Sequence, residues 1–259
     1  MSISAPYERK LVQGLDRLNK RLDSYLKNPE DDKNVHEVRT TLRRLDVMFS
    51  MLPKKARRRN RKHIEKYKEF FKTNSRLRDI DVIRAKVAAL SPGAKSLDAQ
   101  LQRKRNVQMK KVIKTARALR KLPRIRVKVA PARLESRIDR ITDRLSVRIK
   151  QTMPAVLSDA SNADELHRLR KDCKKLRYVL EALPAGAAKK YEKKATAALG
   201  KEASALLLEK LQDTLGEIHD SDITLEYLRR SKSEIAKGLA EKVASSRDRL
   251  YQEFLAYSK

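Results

Sequence analysis

The sequence of 259 residues lacks tryptophan and contains only one cysteine, four phenylalanines and six glycines. The single cysteine, Cys173, excludes an internal disulfide, and its place on an apolar helical stripe predicts a thiol buried in the core. The few aromatic residues leave no evenly spaced platform on which nucleic-acid bases could stack. The eight prolines fall mostly between periodic segments, so the composition favours long helices.

Long apolar runs are also absent. No stretch approaches the ~20 consecutive apolar residues that a transmembrane helix requires. The opening residues, MSISAPYERK, lack the apolar segment of a secretory signal. We therefore expect a soluble protein of the cytoplasm with no membrane partner.

Acidic residues are scarce relative to basic ones. The chain has 63 Lys and Arg against 33 Asp and Glu, which gives a formal net charge of +30 at pH 7. A compact fold with that imbalance repels itself unless a dense anion lies against it. The charge therefore predicts a polyanionic partner.

Apolar residues recur at three- and four-residue steps through nearly the whole chain, which is the helical pattern. Two strongly periodic helices are predicted near the start of the chain. Further helices are predicted over about residues 57–73, over a short segment that RLRDIDV opens, and over about residues 96–122. The only strand candidate, IRVKV at 125–129, is interpreted as a linker. The sequence thus predicts an all-α fold. The apolar seam of the second helix consists of Val35, Val38, Leu42, Leu45, Phe49 and Leu52.

The second half of the chain repeats the first. VHEVRTTLRRLDVMFSMLP at 35–53 aligns without a gap with LHRLRKDCKKLRYVLEALP at 166–184, at a shift of 131 residues. LRDIDV at 77–82 returns as IHDSDI at 218–223, at a shift of 141 residues. A duplicated helical bundle explains these matches, so we predict two similar bundles related by a pseudo-twofold axis. The predicted halves are residues 1–124 and 131–259, with a linker at 125–130.

In each repeated phrase, basic residues lie one position beyond the apolar seam. His36, Arg39 and Arg43 each follow a seam residue, which places them about 100° around the helix. This stripe borders the core, where cations cost desolvation free energy unless an anion or a carboxylate meets them. Two interpretations of the stripe stay open: it binds an anion, or its bases form structural ion pairs with acids elsewhere in the chain. The matching stripe of the second phrase is His167, Arg170, Lys174 and Arg177.

Two further stretches are rich in bases. KKARRRNRK at 54–62 holds seven bases and no acid, and residues 99–134 hold thirteen bases and no acid. Because a merely solvated surface normally mixes both signs, these stretches predict an anion-facing surface. The possible additional anion contacts are Arg58, Lys62, Arg103, Lys110, Lys114, Arg117 and Lys210.

VHEVRTTLRR and LHRLRKDCKKLRY resemble the paired signatures of the CHAD family, the conserved histidine α-helical domain. RLRDIDV and LQDTLGEIHDSDI are similar to the family's second phrase in each half, and the likeness reaches to about Phe254. The resemblance implies that residues 1–259 form a single CHAD domain of two four-helix bundles. It also implies a basic central cavity that binds inorganic polyphosphate, and an association with polyphosphate granules. The implied polyphosphate contacts are His36, Arg39, Arg43, Arg44, His167, Arg170, Lys174, Lys175 and Arg177.

Two other classes of function stay open. A charge of +30 would bind RNA or DNA without sequence preference, although the aromatic residues for base stacking are missing. A metal-dependent or hydrolytic enzyme is disfavoured, because His36 and His167 have neither a second His or Cys at ligand spacing nor a nearby carboxylate pair. We therefore expect a binding protein with no catalytic residue, cofactor or metal. Asp79 and Asp220 are expected to cap a helix or to orient a base.

Overall fold

The computed structural model describes residues 3–123, 125, 127–199, 204–231 and 233–258. These described residues form ten α-helices and no β-strand, which confirms the all-α prediction. In chain order the helices are α1 (Ser4–Lys27), α2 (Asp32–Met51), α3 (Lys54–Arg59), α4 (Arg61–Leu90), α5 (Lys95–Arg120), α6 (Pro131–Ser158), α7 (Ala163–Ala182), α8 (Ala185–Leu199), α9 (Ala205–Arg229) and α10 (Glu234–Ser258).

Polar residues and a proline fix where several helices begin. The side chain of Asp31 caps α2, because it accepts a hydrogen bond of 2.9 Å from the backbone N–H of Lys33. Ser204 caps α9 in the same way, through the N–H of Leu207 at 3.3 Å. Pro131 is the first residue of α6, where its missing N–H leaves no helical hydrogen bond unmade. Asp31 and Ser204 thus set the starts of α2 and α9, two of the four helices that carry the repeated phrases.

One helix boundary differs from the prediction. We expected a helix over about residues 57–73 and a separate short helix after it, but α3 ends at Arg59 and α4 then runs through both segments. No Gly or Pro interrupts residues 61–90, so nothing ends the helix there. The break comes instead at Asn60, whose side-chain amide donates to the carbonyl of Ala56 at 3.0 Å.

Five helices lie on each side of the predicted linker. Residues 125 and 127–130 belong to no helix or strand, and residue 126 of that linker lies outside the described residues. Each half has four long helices and a shorter one, α3 with 6 residues and α8 with 15. The halves therefore hold one helix more than the expected four. Their order of helices is the same, whereas the pseudo-twofold relation stays a prediction.

Apolar side chains of both halves form one large core. The seam of α2, which includes Val38 and Leu45, joins Leu169 and Leu176 of α7 in this core. Cys173 is fully buried there, and burial raises the pKa of its thiol to about 12. The predicted core thiol is thus observed, and the shared core holds α2 against α7.

A smaller apolar cluster joins the halves a second time, at the far ends of two helical hairpins. It contains Ile83 and Val87 of α4, Leu225 and Leu228 of α9, and residues at the starts of α5 and α10. Because α4 also contacts α9, two pairs of corresponding helices, α2 with α7 and α4 with α9, surround the space between the halves.

Candidate functional site

A cavity of about 850 Å³ lies between the halves, with walls from α2, α4, α7, α9 and α10. Because the apolar seams of α2 and α7 are buried in the core, the residues one position further along each helix face this space. Seven of the nine predicted polyphosphate contacts line the cavity: His36, Arg39, Arg43, His167, Arg170, Lys174 and Lys175.

Arg39 lies almost entirely inside the protein. It is 8% exposed, and its Nη1 donates to the backbone carbonyl of Asn74 at 3.0 Å. Burial is the main cause that lowers the pKa of Arg39 to about 9, and the neighbouring Arg43 lowers it further. Asp79 acts in the opposite direction, but no carboxylate of the described residues forms a salt bridge with Arg39. The protein therefore encloses this cation without neutralising it.

Arg170 occupies the matching position on α7. Its Nε is buried and finds no hydrogen-bond partner within the described residues. Burial lowers the pKa of the Arg170 guanidinium, and Asp220 partly offsets that effect. A buried donor without a partner costs about 1–3 kcal/mol, which the oxygen of a bound anion would recover.

Lys174 and Lys175 of α7 are also enclosed where a positive charge is disfavoured. Burial, and then repulsion from Arg43 and Arg170, lowers the pKa of Lys174 to about 6. Burial also lowers the pKa of Lys175, with Asp46 acting against it. Lys174 is therefore mostly neutral near pH 7, and an anion beside it would restore its charge.

The two histidines of the repeat have different surroundings. Nδ1 of His167 lies 3.1 Å from Nδ1 of His219, and the ring centroids are 4.3 Å apart. Burial lowers the pKa of both rings, that of His219 to about 3, so both are neutral near pH 7. His36 is instead exposed, with its Nε2 3.4 Å from the hydroxyl of Thr40.

Asp79 and Asp220 lie well inside α4 and α9, so the capping role expected for them does not hold. Enclosure by the surrounding protein raises the pKa of both carboxyls. Arg39 acts against this rise at Asp79, and Arg170 does so at Asp220. Each aspartate thus interacts electrostatically with the arginine of its own half, whereas the role of orienting a base stays a prediction.

The second aspartate of each phrase has a structural partner. Asp81 accepts a hydrogen bond from Nε of Arg105 at 2.8 Å, and Asp222 accepts one from Nε of Arg247 at 2.5 Å. The two arginine side chains are only 7% and 10% exposed. These pairs tie α4 to α5 and α9 to α10. Residues two apart on a helix point in nearly opposite directions. Because Asp81 and Asp222 point toward their arginines, Asp79 and Asp220 point toward the cavity.

The cavity is basic on one wall only. Its lining contains seven Lys and Arg against six Asp and Glu. Six of the seven bases are on α2 and α7, where Asp46 is the only acid among the lining residues. The other five acids lie on α4, α9 and α10, where Arg78 is the only Lys or Arg of the lining. The prediction of a basic cavity therefore describes the α2–α7 wall, which faces an acidic wall formed by α4, α9 and α10.

Two of the predicted contacts lie elsewhere. Nε of Arg44 is 3.7 Å from the carboxylate of Glu181, and Arg44 is exposed outside the cavity. Arg177 forms salt bridges with Glu181 at 2.9 Å and with Glu209 at 2.7 Å, and lies over the Tyr178 ring at 5.0 Å from its centroid. Both arginines therefore take part in ion pairs of the fold and do not line the cavity.

The possible additional contacts are spread over the outer surface. Arg58 lines a groove that α3 forms with α6. Lys110, Lys114 and Arg117 line a hollow of about 560 Å³ on α5. The remaining three are exposed and line neither these hollows nor the cavity: Lys62, Arg103 and Lys210.

Sequence reasoning missed three basic residues of the cavity, Arg78, Lys171 and His219. The shift of 141 residues that aligns LRDIDV with IHDSDI also aligns His219 with Arg78. A base at the same place in both copies was therefore visible in the repeat. Lys171 aligns with Thr40 at the shift of 131, so the repeat carried no such signal for it.

The described helices define an all-helical protein of two halves around a cavity with one basic wall. The chain belongs to the CHAD domain family, whose model matches residues 11–229. The fold is similar to the crystal structure of the CHAD domain from the plant Ricinus communis, with a TM-score of 0.56 and 16% sequence identity, over 99% of this chain and 86% of that one. No curated protein matches the sequence.

The described residues contain neither a membrane-spanning helix nor a cluster of metal ligands. None of their helices is both long enough and apolar enough to span a membrane. No three His, Cys, Asp or Glu side chains among them are grouped so that they could hold a metal ion.

Proposed function

We propose that the protein binds inorganic polyphosphate along the α2–α7 wall of the central cavity. The CHAD family is associated with polyphosphate binding. The observation that carries the proposal is a set of enclosed cations that have no salt bridge within the described residues. These cations are Arg39, Arg43 and Arg170, and Lys174 beside them would regain its charge when an anion binds.

A linear phosphate chain suits this wall because it carries charge on every unit and has no sequence to read. Guanidinium groups offer forked donors to phosphate oxygens, and ammonium groups act as point charges. Arg39 and Arg43 come from the first half, and Arg170 and Lys174 from the second. One chain laid along the wall would therefore contact both copies of the repeated phrase.

The acidic wall restricts where that chain lies. Carboxylates on α4, α9 and α10 repel a polyanion, so the ligand is held against α2 and α7. In the absence of ligand, Asp79 and Asp220 reduce the repulsion among the cations opposite them. The carboxylates thus lower the electrostatic cost of enclosing the bases. The N–H donors of the bases stay available to the ligand.

The proposed activity is binding without a catalytic step. Rows of Arg and Lys are enough to hold a phosphate chain, and the proposal needs no cofactor or metal. We propose that the protein handles or tethers polyphosphate in the cytoplasm, at polyphosphate granules.

Competition distinguishes this function from nonspecific nucleic-acid binding. Labelled long-chain polyphosphate is bound to the purified protein and challenged with RNA, DNA and ATP at equal phosphate concentration. We expect polyphosphate to be the stronger ligand per phosphate, because the cavity has enclosed cations and no row of aromatic rings for bases. Tighter binding of RNA would favour the nucleic-acid alternative.

A further inference from the structure

A second group of cations lines a groove on the outer surface, between α3 of the first half and α6 of the second. The groove has a volume of about 820 Å³ and adjoins a hollow of about 230 Å³ beside residues 127–130. Pro53, Lys55, Arg59 and Arg133 belong to the walls of both. The two spaces thus share a wall, and we call them together the α3–α6 groove.

The charge of the α3–α6 groove differs from that of the central cavity. All of its charged lining residues are cations, they are all exposed, and none forms a salt bridge within the described part of the chain. Mixed signs are the norm on a surface that only faces solvent. The seven cations are Lys54, Lys55, Arg58, Arg59, Lys128, Arg133 and Arg140.

Unneutralised cations continue inward from this groove. Nε of Arg137 donates to the carbonyl of Ser50 at 3.1 Å, at the junction of α6 and the end of α2. Burial lowers the pKa of Arg137, and Arg57 and Arg140 lower it further. Nε of Arg57 is buried and has no hydrogen-bond partner among the described residues. The repulsion among these guanidinium groups favours an anion nearby.

The start of α6 adds backbone donors to the cations. The cap residue Ala130 supplies no side-chain hydrogen bond, and Ala132 and Arg133 of the first turn line the groove. Free N–H groups at the start of a 28-residue helix favour negative charge. This effect reinforces the side-chain cations and does not replace them.

We propose that the α3–α6 groove is a second binding site for condensed phosphate chains, separate from the central cavity. Its cations are exposed, so a bound chain keeps part of its hydration, and its affinity depends more steeply on salt than that of the cavity. The proposal depends on the groove alone. It holds whether or not the central cavity binds the same ligand.

Calorimetric titration of the full chain with inorganic tripolyphosphate, and separately with long-chain polyphosphate, tests this site. The groove variant combines Arg58→Gln, Arg133→Gln and Arg140→Gln, and a cavity variant combines Arg43→Gln and Arg170→Gln. The control variant removes three exposed cations that line none of these sites: Lys189→Gln, Lys193→Gln and Lys242→Gln.

We expect the parent and the control to bind tripolyphosphate at two sites, and the groove and cavity variants to bind it at one each. For long-chain polyphosphate, the groove variant should lower the slope of log affinity against log salt by about two to three, by analogy with phosphate contacts in nucleic acids. Circular dichroism should show parental helicity in the groove variant, because all three substitutions are on the surface.

The outcomes separate the two proposals. A groove variant that keeps both sites and the parental salt slope overturns the groove proposal, whatever the cavity variant does. If the cavity variant keeps parental binding while the groove variant loses a site, the groove proposal is supported and the central one fails. If the groove variant loses affinity for duplex RNA but not for either phosphate ligand, the groove does not bind condensed phosphate and the proposal is overturned.

Discussion

At the scale of single residues, the enclosure of Lys174 in the α2–α7 wall destabilises the free protein. The pKa of Lys174 falls from an ordinary value of 10.5 to about 6 on folding. Between those pH values the unfolded chain binds a proton at this lysine that the folded protein does not. Its effect on stability is therefore unfavourable near neutral pH and diminishes as the pH rises toward 10.5.

Replacing this lysine by methionine should stabilise the free protein. Lys174→Met keeps most of the side-chain length and removes the charge, so we expect the free energy of unfolding at pH 7 to rise by about 1–2 kcal/mol. The same substitution should weaken polyphosphate binding. Urea unfolding checks the first effect, and the gain should shrink when the measurement is repeated near the ordinary pKa of lysine.

Lys171→Met provides the matched control, since Lys171 is one turn away on the same helix but exposed. It should leave the free energy of unfolding unchanged within about 0.5 kcal/mol. A Lys174→Met protein less stable than the parent at pH 7 would show that burial does not penalise this ammonium group.

Polyphosphate binding should take up protons. A bound anion raises the pKa of Lys174 from about 6, so near pH 7 the complex holds protons that the free protein lacks. The affinity should therefore fall as the pH rises from about 6 to 8, by up to about tenfold per unit for each proton fully linked. Calorimetry in buffers of different ionisation enthalpy measures this uptake directly. The Lys174→Met variant should show a flatter pH profile, and an unchanged profile would assign the uptake to other groups.

At the scale of elements, the two aspartates of the IHDSDI phrase on α9 have separable roles. Asp222 forms a salt bridge with the largely buried Arg247, which also donates to the carbonyl of Ala160 at 2.7 Å. Asp222→Asn should lower the free energy of unfolding by about 1–3 kcal/mol, because it leaves that guanidinium without its carboxylate. Asp220→Asn should instead raise polyphosphate affinity, since it removes a negative charge that faces the cations of α7.

Thermal unfolding and binding isotherms on these two variants measure both effects. The first-half substitutions Asp81→Asn and Asp79→Asn are the matched pair, because Asp81 binds Arg105 as Asp222 binds Arg247. If Asp220→Asn loses affinity, that carboxylate positions Arg170 for the ligand and its repulsion of the ligand is the smaller effect.

The helices were largely predictable from the sequence because their signal is local. Apolar residues at three- and four-residue steps mark α1, α2, α6 and α7, and the long basic helix expected at about 96–122 is α5 at Lys95–Arg120. The division between α3 and α4 was placed wrongly, because a basic composition does not indicate where a helix is interrupted. In the structure the break falls at Asn60, whose backbone N–H and side-chain amide both donate to the carbonyl of Ala56.

A residue's place in the site was predictable where it follows from the residue's position on its own helix. It was unpredictable where the residue pairs with a side chain of another helix. Arg39 and Arg170 face the cavity because each lies one position beyond a buried seam residue. Arg177 continues the same stripe by spacing, yet Glu209 of α9 pairs with it. The acidic wall was likewise invisible, since its carboxylates come together from α4, α9 and α10.

At the scale of the whole molecule, the contact between α2 and α7 places the cations of two halves on one wall. The larger core holds α2 against α7, and the smaller one joins the hairpins α4–α5 and α9–α10. The halves are thus joined by two separate apolar clusters. A ligand that contacts Arg39 and Arg170 together meets a preformed surface and does not have to draw two domains together.

Substitutions in the two halves should therefore be coupled. We expect Arg39→Ala and Arg170→Ala each to weaken polyphosphate binding by about 1.5–3 kcal/mol and to lower the log–log salt slope by about one. If one chain contacts both arginines, as proposed, the double variant should depart from the sum of the single effects. Calorimetry on the parent, both single variants and the double variant at several salt concentrations gives the coupling free energy.

Lys189→Ala and Lys242→Ala, exposed and outside the cavity, should cost much less binding free energy. Parental affinity in both arginine variants, together with weak binding by the lysine controls, would place the ligand on the outer surface and reduce the histidine phrases to a structural role.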